Sequence, residues 1–239
     1  MNFSQLDNIV FDGAQDEATT KNHVDICFVV DNSGSMARVI NGIKMYINDF
    51  ADTLEYGTGV DIDFRIGFVL HGHEKILIRQ FTDDVETFKS ALINATQRHE
   101  TGYDEFGLPA LDVAADFPWQ KKRHKFILFF TDEGVNSGYN SQLQMSKYEE
   151  LLTKLENLKV KIYFYGPDTQ EYRLLQRVPG TEYNPTDNFG DLDFSQILNS
   201  IAKSVSVSSS SPLDGSQEMN VQKDLYNVKS YVEVINIQK

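Results

Sequence analysis

The chain has 239 residues, of which 41% are hydrophobic and 24% are charged, and its formal net charge is −13. This composition supports a buried core and excludes a disordered tail, a collagen-like repeat and, with a single cysteine, a disulfide scaffold. The negative charge disfavours binding to nucleic acid or to an anionic membrane and suits a divalent cation or a basic partner. No apolar run approaches the roughly 20 residues that cross a bilayer.

Apolar runs rich in β-branched and aromatic residues alternate along the chain with segments of helical periodicity. The runs that predict buried strands are 24–30, 64–70, 126–130 and 160–165. The segments that predict helices are 40–54, 85–92, 108–115, 143–158 and 192–205. Such an alternation predicts βαβ units, a mostly parallel sheet and helices on both of its faces.

A further strand over residues 75–81 follows the strand 64–70 after a very short link. So short a link allows only a hairpin, so we expect this strand to be antiparallel and to lie at an edge of the sheet. The sequence therefore predicts a three-layer, Rossmann-like α/β fold with a mostly parallel central sheet and one antiparallel edge strand.

The composition divides the chain into three parts. We expect an N-terminal arm over 1–21, the α/β domain over 22–206, and a Ser-rich linker with a β tail over 207–239. The tail either pairs with the arm near residues 9–11 or is ordered only by its contacts. The first residues show no basic region followed by an apolar stretch, and Cys27 is the single cysteine, so we expect no secretory signal and a reducing, cytoplasmic compartment.

Oxygen-bearing side chains come directly after the first predicted strand. Asp31, Ser33 and Ser35 alternate in this loop, and Gly34 allows a tight turn between them. Ligand sites in parallel sheets lie at the carboxyl ends of the strands, and hard oxygen ligands suit Mg²⁺, Mn²⁺ or Ca²⁺. The alternative is an ordinary helix N-cap, which favours the same residue types.

Two more loops offer similar ligands. Asp132 follows the strand 126–130 within Thr-Asp-Glu-Gly, and Asp104 lies in the segment that opens the helix 108–115. Their order and spacing resemble the metal ion-dependent adhesion site of von Willebrand factor type A domains, in which D-x-S-x-S follows the first strand and T-D-G ends a later one. The resemblance covers roughly residues 22–206.

The resemblance implies a non-enzymatic protein-binding module that holds Mg²⁺, or Mn²⁺ or Ca²⁺, while an Asp or Glu of a partner protein completes the coordination. The middle loop departs from integrin-like members, which place a Thr there. Thr101 is the alternative ligand to Asp104. The implied ligands are Asp31, Ser33, Ser35, Asp104 and Asp132, and the expected partner-binding rim is His71, His73, Glu105, Glu133 and Asn136.

Two other functions compete with this interpretation. The same carboxylates could hold Mg²⁺ for a hydrolase or a phosphoryl-transfer enzyme, which needs a base or a phosphate-binding cation nearby; only Arg38 is close in sequence. The domain could also be a degenerate structural module. No phosphate-binding loop, dinucleotide fingerprint or G-x-S-x-G motif occurs. The short basic run 121–124 is expected to be a solvated turn, and the oligomeric state stays open.

Overall fold

The sheet has seven strands in the part of the chain that the computed structural model describes, which is residues 22–57, 59, 61–72, 75–97, 106–135, 141–186, 188–211, 225–227 and 229–235. The strands are β1 Asn22–Asp31, β2 Ile62–His71, β3 Ile76–Thr82, β4 His124–Phe130, β5 Val160–Gly166, β6 Glu182–Pro185 and β7 Val232–Val234. Their spatial order is β6-β5-β4-β1-β2-β3-β7, and β2–β3 is the antiparallel pair in a sheet whose other described pairs are parallel. The predicted α/β fold is confirmed.

Helices pack on both faces of this sheet. The described helices are α1 Ala37–Tyr56, α2 Val85–Ala95, α3 Gly107–Ala115, α4 Ser141–Ser146, α5 Tyr148–Leu158, α6 Gln170–Arg173 and α7 Phe194–Ser209. Short 3-10 helices span Leu174–Arg177, Phe189–Asp191 and Lys229–Tyr231. One core cluster joins α1, α2 and α7 to the sheet, and a second joins α3 and α5 to its other face.

Strand β1 is the middle strand of the sheet, and its two faces contribute to the two core clusters. Phe28 belongs to the first core cluster, where its ring contacts Phe50 and Phe88 with centroids 5.8 and 5.5 Å away. Cys27 and Val29 point to the opposite face and belong to the second cluster. Both faces of the strand are buried, which explains why its sequence is a nearly continuous apolar run rather than an alternating one.

Several boundaries differ from the predicted ones. The helical pattern of 143–158 is divided at Lys147 into α4 and α5, and Tyr148 starts a separate buried face. Helix α7 ends at Ser209, four residues beyond the predicted end, because Ser206 and Ser209 are themselves buried. Strand β6 was not predicted, since a short strand that is only partly buried carries no apolar run.

The C-terminal strand pairs with β3. Val232 lies opposite Ile76 in the parallel register, and the Ile235 N–H donates to the Ile78 carbonyl at 2.8 Å. The antiparallel strand β3 thus has β2 on one side and β7 on the other, so its expected edge position is wrong: β7 covers it and lies at that edge of the described sheet. The alternative pairing partner, the N-terminal arm near 9–11, lies outside the described residues.

The basic run 121–124 differs from the expected solvated turn. Lys121 and Lys122 are exposed, but Arg123 is only 6% exposed and forms ion pairs with Asp25 at 2.7 Å and Asp63 at 2.9 Å. These contacts lie at the amino end of β1, opposite to the loop that follows the strand. Among the described helices, none has the length and apolar character that crossing a membrane requires.

Candidate metal centre

The loop after β1 is held at the carboxyl edge of the sheet by its own backbone. The Asn32 N–H donates to the His71 carbonyl at 2.7 Å, which extends the β1–β2 pairing. The Ser33 N–H donates to Asp31 Oδ1 at 2.7 Å, and the hydroxyl oxygens of Ser33 and Ser35 are 2.9 Å apart. Asp31, Ser33 and Ser35 therefore lie together, as the alternating spacing predicts.

These side chains do not cap the helix that follows. Met36 occupies the N-cap position of α1, and no side chain makes a capping hydrogen bond there. The turn runs into the helix through backbone contacts, with Met36 N–H donating to the Ser33 carbonyl at 3.2 Å. The N-cap alternative therefore does not explain the polar loop, and its oxygens remain available for another ligand.

The end of β4 brings a second carboxylate to the same place. The Thr131 N–H donates to the Tyr165 carbonyl at 3.1 Å, and the Thr131 hydroxyl lies 3.3 Å from Asp31 Oδ2. The next residue, Asp132, accepts a hydrogen bond from the Ser35 hydroxyl and lies beside the Asp31 carboxylate. The structure thus brings four of the five predicted ligands together: Asp31, Ser33, Ser35 and Asp132.

The surroundings of Asp132 disfavour the negative charge of its carboxylate. Burial raises the pKa of this carboxyl, the hydrogen bond from Ser35 opposes the rise, and the negative charge of Asp31 adds to it. Asp132 Oδ1 is buried and has no hydrogen-bond partner in the described part of the chain. An oxygen-rich site with adjacent carboxylates and an unsatisfied buried oxygen fits a hard divalent cation such as Mg²⁺.

The third predicted carboxylate, Asp104, lies outside the described residues, as do Thr101, His73, Glu105 and Asn136. Within the described ranges, no three His, Cys, Asp or Glu side chains form a group that could hold a metal ion. The described donors are two carboxylates and two hydroxyls. The complete ligand set thus stays a prediction for the middle loop.

Helix α3, which follows the middle loop, begins beside the site. A Cβ added to Gly107 would lie 2.9 Å from Tyr172 Oη and 4.0 Å from His71 Cε1. Gly107 therefore permits a close approach of the helix start to Tyr172, whereas the distance to His71 at the end of β2 is an ordinary van der Waals contact. Asp104 precedes this glycine by three residues in the sequence.

The two described rim residues differ in their placement. His71 is fully buried and packs edge-on against Phe129, so its side chain does not lie at the surface, where the expected rim contact would need it. Burial lowers the pKa of His71, and the charge of Asp31 partly opposes this. Glu133 is half-buried, and its carbonyl accepts a hydrogen bond from Tyr172 Oη at 3.2 Å.

Sequence reasoning missed two residues that orient the site. Thr131 lies against Asp31, and its place directly before Asp132 was the available signal. Tyr172 fixes the backbone after Asp132 from α6, and no local pattern marks it because the contact spans 39 residues.

The family model of the von Willebrand factor type A domain matches residues 25–204. The chain therefore belongs to this family, whose domains are generally non-enzymatic modules of protein–protein interaction. Among solved structures, the chain is similar to the human COPII-coat protein Sec24c, with a TM-score of 0.54 and 14% identity over 78% of this chain. At this identity the likeness shows the fold alone, and the match covers 32% of the Sec24c chain. Comparison with curated proteins found no match.

Proposed function

We propose that this domain binds a partner protein through a divalent cation, Mg²⁺ or else Mn²⁺ or Ca²⁺, at the candidate metal centre. Asp31, Ser33, Ser35 and Asp132 would hold the cation, with Asp104 or alternatively Thr101 supplied by the middle loop. The observation that carries the proposal is the buried Asp132 Oδ1, which lacks a hydrogen-bond partner among the described residues while lying beside a second carboxylate.

The described residues prepare this site before any ligand arrives. The Ser33 N–H and the Thr131 hydroxyl each approach a different oxygen of Asp31, which fixes the plane of its carboxylate. The Ser35 hydroxyl orients Asp132. When bound, the cation offers a coordination position that a carboxylate of the partner can fill. The partner is therefore expected to present an Asp or a Glu.

Arg38 supplies a second contact for the partner. It is exposed in the first turn of α1, three residues after Ser35 in the sequence, and a Cβ added to Gly190 would lie 3.5 Å from its Nη1. Every other described arginine donates to a carboxylate or a carbonyl: Arg65, Arg79, Arg123, Arg173 and Arg177. Arg38 has no such bond within the described residues. We infer that it pairs with another acidic group near the anchoring carboxylate.

We include a reducing, cytoplasmic compartment in this proposal, and its support comes from Cys27 rather than from the candidate metal centre. Cys27 is buried in β1, and burial raises the pKa of its thiol well above the usual value, which keeps it protonated and unreactive. A single thiol of this kind suits the reducing, cytoplasmic environment included in the proposal.

The test is recovery of partner proteins from lysate with Mg²⁺ or with EDTA, followed by substitution of acidic residues in the recovered partner. In Mg²⁺, the Ser33→Ala/Ser35→Ala variant should recover as little partner protein as the wild type recovers in EDTA. The control is Ser90→Ala, which replaces an exposed serine on α2 and should recover as much partner as the wild type. Arg38→Glu should bind the cation normally but recover less partner.

Equal recovery in Mg²⁺, in EDTA and with the double variant would overturn the proposal. The proposal would also be overturned by a partner that still binds after all its exposed Asp and Glu residues have been replaced. Metal-dependent release of phosphate by the pure protein would instead favour the hydrolase or phosphoryl-transfer alternative.

A further inference from the structure

Two described C-terminal stretches, residues 225–227 and 229–235, contact α3 and the residue before it, and together they are here called the C-terminal strap. The Leu225 N–H donates to Asp112 Oδ2 at 2.8 Å. The ring of Tyr231 lies 6.1 Å from that of Phe106, which directly precedes α3. The strap therefore holds the helix near its start and again more than one turn further along.

A third contact runs through α4. Tyr226 is 5% exposed, and its hydroxyl donates to the Gln144 carbonyl at 2.8 Å. Gln144 is 2% exposed, and its Oε1 accepts the Leu108 N–H at 3.1 Å. Leu108 is the second residue of α3, so this N–H has no partner within the helix. Tyr226 thus fixes the residue that satisfies the first turn of α3.

The strap is anchored on both sides of these contacts. Asp112, which accepts from Leu225, also pairs with the buried Lys154 at 2.5 Å, and Lys154 reaches Asp116 at 2.8 Å. At the other end, β7 pairs with β3 over three residues. The described residues of the strap are therefore bonded to α3 at one end and to the sheet at the other, and Asp112 connects the first of these contacts to α5.

The start of α3 is in turn packed against the candidate metal centre. No space exists for a Cβ at Gly107, because Tyr172 Oη would lie 2.9 Å away. That hydroxyl donates to the Glu133 carbonyl, next to Asp132. Because packed interiors transmit small displacements, a shift of the α3 start would reach Tyr172 and the loop that carries Asp132.

We propose that the C-terminal strap is a positioning element of the metal centre, in which Tyr226 and Gln144 set the first turn of α3. This turn packs against Tyr172, which holds the Glu133 carbonyl next to Asp132, so the strap determines how well the loop that carries Asp132 is placed. This inference rests on the proposed function, since it concerns affinity for the same cation.

The test compares two conservative variants of the full chain. Tyr226→Phe keeps the buried ring and removes the hydroxyl that contacts Gln144. Tyr163→Phe is the matched control, because its buried ring also donates one hydrogen bond, to Ser204 Oγ at 2.8 Å, on the other face of the sheet. Mg²⁺ binding is measured by isothermal titration, and hydrogen exchange of the Leu108 amide is measured without metal.

We expect Tyr226→Phe to weaken Mg²⁺ binding by at most roughly ten-fold, the factor reached if the whole contribution of one hydrogen bond were lost from binding, and to speed exchange at Leu108. Tyr163→Phe should lose comparable stability and leave both readouts unchanged. Tyr231→Ala, which alters a ring that is 50% exposed and so leaves the fold intact, should shift both readouts in the same direction as Tyr226→Phe.

Two results would overturn the inference, and they are distinguishable. If wild type binds Mg²⁺ and Tyr226→Phe binds it equally well with unchanged exchange at Leu108, the strap has no positioning role and the proposed function stands. If wild type binds no Mg²⁺ at saturating concentration, both the proposed function and the positioning role fail.

Discussion

Asp31 and Asp132 are two carboxylates in a place where burial and mutual repulsion both oppose charge. The raised pKa of Asp132 expresses this cost, since desolvation is its main cause and the charge of Asp31 contributes. A cation that binds only the folded protein removes the cost and adds its own binding free energy. We therefore expect binding of the cation at these two residues to raise the free energy of unfolding.

We predict that Mg²⁺ raises the thermal unfolding midpoint and that Asp31→Ala abolishes the rise. At a free concentration of about 100 times the dissociation constant, the gain is about 2.7 kcal/mol. For a domain of this size that corresponds to roughly 5–10 °C. Differential scanning calorimetry with and without Mg²⁺ measures the shift.

Asp52→Ala is the control, because Asp52 is an exposed aspartate on α1 away from the loop. It should keep the full response to Mg²⁺. An unchanged response in Asp31→Ala would place the cation somewhere else in the protein.

At the scale of single elements, β1 serves opposite purposes at its two ends. Its carboxyl end delivers Asp31 to the metal centre. Near its amino end, Asp25 is fully buried and accepts from Arg65 at 2.8 and 2.7 Å, and Arg123 lies 2.7 Å away. A carboxylate between two guanidinium groups stabilises the fold only while all partners are present.

We predict that Asp25→Asn and Asp63→Asn differ strongly in cost, although both carboxylates contact Arg123. Asp25→Asn leaves buried cations without their counter-charge and should cost about 3–5 kcal/mol. The Asp63 side chain is 39% exposed, so Asp63→Asn should cost less than about 1 kcal/mol. Urea unfolding at neutral pH measures both values, and similar costs would contradict this account.

The effect of Asp63→Asn on stability is also expected to depend on pH. The hydrogen bond from Arg123 holds the pKa of Asp63 below its ordinary value. Its contribution to stability is therefore present above the unfolded pKa of about 3.9 and is lost as pH falls through the lower folded pKa. Asp63→Asn should flatten the loss of stability below about pH 4.

At the scale of the whole molecule, the charge of −13 governs how a partner approaches. An acidic anchor that reaches the metal centre must come from a surface that is otherwise basic or neutral, because an acidic surface would be repelled at long range. Arg38, exposed in the first turn of α1, contributes one positive charge close in sequence to the loop that carries Asp31.

We therefore predict that the rate of association with the captured partner falls as NaCl rises from about 50 to 500 mM, since salt screens long-range attraction. The dissociation rate should change less, because it depends on contacts at short range. Surface plasmon resonance at constant Mg²⁺ separates the two rates. An association rate that rises with salt would indicate an acidic partner surface.

The sequence by itself determined the sheet, its two helical layers and the meeting of Asp31, Ser33, Ser35 and Asp132. These features were predictable because a strand buried on both faces must be apolar along its length, and because parallel strands end at one edge. Each signal lies within a short stretch of chain and needs no knowledge of distant residues.

Tertiary structure alone decided the burial of His71 and Arg123, the strand β6, the pairing of the predicted C-terminal strand with β3, and the contacts of the C-terminal strap with α3. Arg123 reaches the Val24 carbonyl across 99 residues, and the Leu225 N–H reaches Asp112 across 113. A basic turn and a polar tail look the same in sequence whether they are solvated or buried. Whether such residues contribute to stability depends on a charged group or a carbonyl that is distant in the sequence and is brought into contact only by folding.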